Sequence, residues 1–191
     1  HDGHPDFVLG NHGLNSFFKA SETKPVTLHV NDFDLNGSVE QILCTFNGDT
    51  AYPVVTKDDL VKQLPSLENK YKKHADYENA TLRDIFPAEV LQRSVVLNAY
   101  HMESAVLLNT GKGSFTLSTL PREAQFFPVY AVLADDFNGD GTCDLLIGGN
   151  QCRARPQTGI YDAGYGLFLR GTGKDTWDPV PSVESGILVK G

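Results

Sequence analysis

Short apolar runs on either side of glycine-containing turns are the main pattern of the chain. The segments SAVLLNTGKGSF, from Ser104, and GLFLRGTGKDTW, from Gly166, align without a gap. In each, an apolar run precedes the turn and an aromatic residue, Phe115 or Trp177, follows it. Two such runs around a glycine-rich turn are typical of a β-hairpin. The pattern predicts a mainly β protein that uses this hairpin twice.

A different pattern occupies residues 57–98. Thr56 and Thr81 each stand three residues before an aspartate, which is a signal for the start of a helix. The apolar residues that follow each threonine share one helical face, and Pro87 suits the first turn of another short helix. These signals predict a small α-helical insertion over 57–98.

An acidic loop occurs twice, as NDFDLNGSVEQIL from Asn31 and DDFNGDGTCDLLIGG from Asp135. Both copies place oxygen-bearing side chains at alternate positions and end in an apolar run. The corresponding residues are Asp32, Asp34, Asn36, Ser38 and Glu40 in the first loop, and Asp136, Asn138, Asp140, Thr142 and Asp144 in the second. Asp2 and Asp6, in the opening HDGHPDFVLG, match the second half of the same loop. This half copy predicts that the chain is a fragment of a longer protein.

Alternating oxygen ligands suit Ca²⁺, which takes carboxylate, amide and backbone oxygens. Gly37 and Gly141 stand where such a loop turns sharply. An EF-hand needs a glutamate at position 12 and flanking helices, but Leu43 and Ile147 stand there, in runs that look like buried strands. The alternative is a plain turn in which Asp and Asn cap their own backbone. The repeated spacing favours two Ca²⁺ loops, each leading into a strand.

The spacing of the repeats predicts where the insertion lies. The two acidic loops are further apart than the two hairpins, so we expect the middle repeat to carry the helical segment. The interval from Asp6 to the first full loop is too short for a whole repeat. Stacked or radially arranged β units, about three in this chain, are the architecture that such repeats suggest.

The acidic loop followed by an apolar strand, together with the LLNTGKGSF hairpin, resembles the FG-GAP/VCBS repeat of integrin-like β-propellers. The helical insertion, GNHGLNS and YDAGYGLFL resemble bacterial surface proteins that combine these repeats with an ASPIC/UnbV domain. The resemblance implies partial propeller blades over 1–191, one Ca²⁺ site in each full loop, and a remnant site at Asp2 and Asp6. The propellers of that family have more blades than this chain can form, so open blade edges predict self-association.

Composition narrows the function classes. The net charge of −8 argues against a nucleic-acid partner, because such partners are bound by basic side chains. No apolar run is long enough to span a bilayer. The three cysteines lack metal-ligand spacing, and a Cys143–Cys152 bridge stays an alternative to free thiols. Weak Ca²⁺ loops suit millimolar external Ca²⁺ rather than cytosolic levels, so together with the resemblance we expect an extracytoplasmic module, at the cell surface, in the periplasm or secreted.

The tract NQCRARPQTGIYDAGYG, from Asn150, predicts a long loop between two repeat elements. Arg153 and Arg155 suit a carboxylate, and Tyr161 and Tyr165 suit stacking on a sugar or peptide. The alternative is a structural connection with both tyrosines packed.

Adhesion, or binding of a glycan or protein ligand, without catalysis is the function that we expect. The alternative is part of a propeller-type polysaccharide-degrading enzyme. For that activity Arg122, Glu123 and Tyr130 are the nearest acid-base candidates outside the loops, and nothing in their spacing recommends them.

Overall fold

A computed structural model describes residues 3–155 and 158–189 of the chain. The chain forms two compact units, which are described separately. The first unit combines His1–Phe17 with Met102–Gly191, and the second is Phe18–His101. The second unit is therefore an insertion in the sequence of the first.

The protein is mainly β, as predicted, with 31% strand and 16% helix. The strands of the first unit are β1 (Phe7–Leu9), β6 (Ala105–Asn109), β7 (Phe115–Thr119), β8 (Ala131–Asp135), β9 (Asp144–Gly148), β10 (Leu167–Gly171) and β11 (Trp177–Val180). Those of the second unit are β2 (Val26–Asn31), β3 (Glu40–Asn47), β4 (Thr50–Pro53) and β5 (Val95–Ala99). They form three antiparallel sheets with the orders β1-β6-β7, β11-β10-β9-β8 and β4-β3-β2-β5, none closed into a barrel. The propeller arrangement stays a prediction.

The repeated hairpin is confirmed in both places. The β6–β7 pair and the β10–β11 pair have equivalent registers that end at Asn109↔Phe115 and Gly171↔Trp177. The turns also match, because Thr110 N–H donates to the Ser114 carbonyl at 3.0 Å and Thr172 N–H donates to Thr176 at 3.0 Å. The same turn chemistry therefore produces the same local structure twice.

The segment inserted between the strands of the first unit is larger than the predicted helical insertion. The hairpin β6–β7 does not continue the sheet that contains the first acidic loop; β6 pairs with β1 over Phe7↔Leu107 to Leu9↔Ala105. The whole second unit, and not the helical segment alone, separates β1 from its partner strand. This arrangement explains the short interval after Asp6, because β1 and β2 belong to different sheets.

The helical segment lies between β4 and β5 in the second unit. Its helices are α1 (Lys57–Gln63), α2 (Leu82–Ile85) and α3 (Ala88–Gln92), with 3₁₀ turns at Pro65–Leu67 and His74–Asp76. Both predicted helix starts are confirmed, since Thr56 Oγ1 accepts from Asp59 N–H at 3.2 Å and Thr81 forms a capping box with Asp84. The helices end earlier than the predicted range, because residues 95–98 belong to strand β5.

The second unit has its own core, in which the helices cover the sheet. Ile42 of β3 and Leu60 of α1 are fully buried, and the rings of Phe33 and Phe86 stack at 4.4 Å between centroids. Cys44 is buried in the same cluster, and this burial raises its pKa to about 12. Each fully buried aliphatic side chain stabilises the unit by roughly 1.5–3 kcal/mol.

The first unit buries a separate cluster that includes Val106, Leu145, Ile147 and Leu169. A short 3₁₀ helix, Arg122–Gln125, and a short α-helix, α4 (Ser182–Ser185), complete this unit. All three cysteines of the chain are free thiols, so the Cys143–Cys152 alternative is wrong. Among the described residues, no helix has the length and hydropathy to cross a membrane.

Candidate functional site

The first acidic loop joins β2 to β3. Antiparallel pairing places Asn31 opposite Glu40, so the two ends of the loop meet. Leu35 and Gly37 have positive φ angles, 61° and 87°, which let the chain curl between these ends. The β-hairpin therefore closes the loop into a ring of polar side chains.

Three carboxylates of this loop converge. One oxygen each from Asp32, Asp34 and Glu40 lies within 4.8 Å of the other two. Oxygens that share a Ca²⁺ ion at 2.3–2.6 Å are separated by at most about 5 Å. The loop therefore has the spacing that one cation requires, with a formal charge of −3 from these side chains.

Asp34 supplies the most informative atom of the cluster. Its Oδ1 is inaccessible to water and accepts no hydrogen bond from any described residue. A buried polar atom without a partner costs about 1–3 kcal/mol. Three convergent carboxylates and a buried oxygen without a partner are a donor set that fits a Ca²⁺ ion.

Hydrogen bonds already organise the rest of this loop. Asp32 Oδ1 accepts from Asn36 N–H at 3.0 Å, and its Oδ2 accepts from Gly37 N–H at 2.9 Å. Asn36 Oδ1 accepts from Ser38 N–H at 2.7 Å. Glu40, a buried residue, accepts from Phe33 N–H at 3.0 Å. The backbone bonds expected of plain Asp and Asn turns are therefore present beside the convergent carboxylates.

The second acidic loop joins β8 to β9, with Asp135 opposite Asp144. Both carboxylate oxygens of Asp136 accept backbone N–H groups at 2.7–3.1 Å. Asp140 accepts first from the hydroxyl of Thr142 and then from its backbone N–H at 2.8 Å. These bonds, with one from the Asn138 amide at 2.9 Å, hold the pKa of Asp140 below its usual value.

Asp144 ties the second loop to the neighbouring hairpin. It is fully buried; its Oδ1 accepts from Gly171 N–H at 2.7 Å and its Oδ2 accepts from Phe137 N–H at 3.2 Å. Beside it, Trp177 Nε1–H donates to the Cys143 carbonyl at 2.9 Å. Sequence reasoning missed this link, although the repeated aromatic position of the hairpin was its visible signal.

The two full loops are therefore not equivalent. Within the described part of the chain, the first loop is the one place where three metal-ligating side chains of the His, Cys, Asp or Glu type converge this closely. Asn138 stands in the second loop where the first has the carboxylate of Asp34. The acids of the second loop accept backbone hydrogen bonds and do not form a three-carboxylate cluster.

Of the two acids of the half loop, the structure describes Asp6. Asp2 lies outside the described residues. Asp6 is exposed, and its Oδ1 accepts from Asn109 N–H at 2.7 Å. Asn109 aligns with Gly171 in the repeated hairpin, so Asp6 makes the same hydrogen bond that Asp144 makes.

The predicted ligand-binding loop divides into packed and exposed residues. Tyr161 is buried, pairs with Gln151 in a β-bridge, and meets the His12 ring edge-on at 4.7 Å. This placement agrees with the structural alternative for Tyr161. Arg153 and Arg155 are exposed, and Tyr165 keeps 51% of its surface accessible.

Comparison with known proteins identified no relative: no family model, no curated protein and no solved structure matches the chain.

Proposed function

We propose that the chain is a non-enzymatic, Ca²⁺-binding β-repeat module of an extracytoplasmic protein. The observation that carries the proposal is the convergence of Asp32, Asp34 and Glu40, in a loop where Asp34 also has a buried carboxylate oxygen without a hydrogen-bond partner among the described residues. In this proposal the ion neutralises the three carboxylates and stiffens the hairpin between β2 and β3.

The two loops would differ in affinity. An ion in the first loop meets three carboxylates that already converge, whereas the second loop has the neutral amide of Asn138 where the first has Asp34. We therefore assign the tighter Ca²⁺ site to residues 32–40 and a weaker one to 136–144. Loops of moderate affinity suit the millimolar Ca²⁺ found outside cells.

The sheet β8–β11 supports the repeat part of the proposal. Its four antiparallel strands follow one another in chain order, which is the arrangement of a propeller blade. In such a module the ions stabilise the scaffold, and exposed loops bind a glycan or a protein ligand. Arg153, Arg155 and Tyr165 are exposed residues that suit this role.

Removing the carboxylate of Asp34 tests the metal site. In chelator-treated protein, we expect Ca²⁺ to bind in calorimetry and to raise the melting temperature, because the ion binds only the folded loop. The substitution Asp34→Asn should abolish the tighter binding event and most of the rise. Asp162→Asn, at an exposed aspartate outside both loops, is the matched control and should behave like the wild type.

Equal melting temperatures in calcium and in chelator would reject the metal site. If Asp34→Asn shows the same calcium response as the wild type, the metal site does not lie in the first loop.

A further inference from the structure

A cleft in the first unit uses none of the acidic-loop residues. Its volume is 720 Å³, within the range of about 300–1,000 Å³ that small-molecule sites occupy. Leu14 and Phe126 line it beside buried Leu120, and Arg122 contributes a cation. The cleft is therefore large enough and apolar enough to hold a small organic ligand.

The Gln125 side chain connects backbone segments on which the cleft is built. This buried side chain accepts from Ser104 N–H at 2.9 Å and donates to the carbonyls of Ser104 and Leu120 at 2.9 and 3.1 Å. The amide of Gln125 thus fastens the 3₁₀ helix Arg122–Gln125 to the start and end of the β6–β7 hairpin. A fixed lining reduces the ordering cost of binding.

Backbone hydrogen bonds also fix the position of Leu14. The N–H groups of Leu14 and Asn15 both donate to the Gln125 carbonyl, at 2.9 and 3.0 Å, and Asn15 Nδ2 donates to the Phe126 carbonyl at 3.2 Å. Gly13 permits this close approach, because its φ is +80° and a Cβ there would lie 2.7 Å from the Gln125 oxygen. The backbone that carries Leu14 and Phe126 is thus held in place by these hydrogen bonds.

The exposed groups of the cleft define the chemistry of its ligand. Leu14 and Phe126 leave 43% and 40% of their surfaces exposed. The guanidinium of Arg122 lies over the Phe126 ring, 5.7 Å from its centroid, and forms no ion pair with a described residue. A ligand with a flat apolar body and a single carboxylate would cover the apolar surface and pair with this cation.

We propose that this cleft is a binding site for a small aromatic carboxylate, whose ring packs on Leu14 and Phe126 and whose carboxylate pairs with Arg122. The proposal goes beyond the calcium site and does not depend on it, because no lining residue belongs to either acidic loop.

Two probes of equal shape and different charge test the site: 3-phenylpropionate and its neutral amide, 3-phenylpropionamide. Calorimetry should show that the acid binds the wild-type chain at least about tenfold more tightly than the amide. Arg122→Gln should lower the affinity for the acid to that for the amide and leave amide binding unchanged. Arg83→Gln, at an exposed arginine of the second unit, is the matched control and should leave both affinities unchanged.

A second variant tests the apolar contact. Leu14→Asn changes an exposed side chain, so the fold should persist, and it should weaken both probes. The proposal is overturned if the acid does not bind, if acid and amide bind equally, or if Arg122→Gln leaves acid binding unchanged.

Discussion

Asp6 and Asp144 accept the same backbone hydrogen bond in two different sheets, and burial distinguishes them. Asp144 is fully buried and satisfies two N–H donors, whereas Asp6 is exposed and water can replace its protein partner. The contribution of such a carboxylate to the stability of the fold therefore depends on whether solvent can reach it. When a buried acceptor is removed, the N–H groups that donated to it are left without a hydrogen-bond partner.

We predict that Asp144→Asn destabilises the chain by about 1–3 kcal/mol, because at this fully buried position an amide NH₂ would face one of the two N–H donors. Asp6→Asn is the matched comparison at an exposed position and should cost clearly less. Urea unfolding of the two variants measures the difference. Equal losses would show that burial of Asp144 contributes nothing to the strength of this link.

At the scale of elements, the start of α2 depends on a carboxylate. Asp84 Oδ2 accepts from Thr81 N–H at 2.9 Å and from the Thr81 hydroxyl at 2.7 Å. These hydrogen bonds, first from the hydroxyl and then from the backbone, hold the pKa of Asp84 below its usual value. A lowered folded-state pKa means that the ionised form stabilises the fold above the unfolded-state pKa. That contribution disappears as the pH falls through the folded-state pKa.

We therefore predict that the stability difference between wild type and Asp84→Asn is present at neutral pH and shrinks below about pH 4, near the ordinary aspartate pKa. Urea midpoints measured across that pH range give the difference. Asp162→Asn serves as the control for a general change in charge. A difference that stays constant down to the acid limit of folding would contradict the role of the ionised cap.

At the scale of the whole molecule, the strand edges are the feature that favours association. Strand β5 is the edge of its sheet, and all five residues are exposed, including Val95 at 61% and Leu97 at 57%. The strand carries no charge and no proline, the two devices that most often keep edges apart. An edge of this kind can pair with the same strand of a second copy.

We predict that the chain self-associates with rising concentration and that Leu97→Lys shifts it towards the monomer, because a lysine on the edge opposes pairing. Sedimentation velocity over a concentration series measures the shift. Val183→Lys adds the same charge at a residue that is 91% exposed and outside every sheet, and it should leave association unchanged. If the chain stays monomeric at all concentrations, the edge strand β5 is not an interaction surface.

Part of the fold could be predicted from the sequence because it depends on interactions between residues that are close together in the chain. The Thr56 and Thr81 helix starts, the two hairpin turns and the paired ends of the acidic loops each depend on residues close together in the chain. Propensity, capping and turn geometry act over such short distances. The sequence by itself therefore determined the mainly β class, the helical segment and the candidate loop residues.

The tertiary structure decided which residues that are far apart in the chain come together. Only the structure shows that β6 pairs with β1 across the inserted second unit, because strand pairing leaves no local signal of its partner. The same holds for the loops: Asp32 and Asp136 accept equivalent backbone N–H groups, but among the described residues three carboxylates converge in the first loop and not in the second. Whether an oxygen meets an N–H group or stays without a partner depends on burial and side-chain direction. Both of these follow from the packed fold.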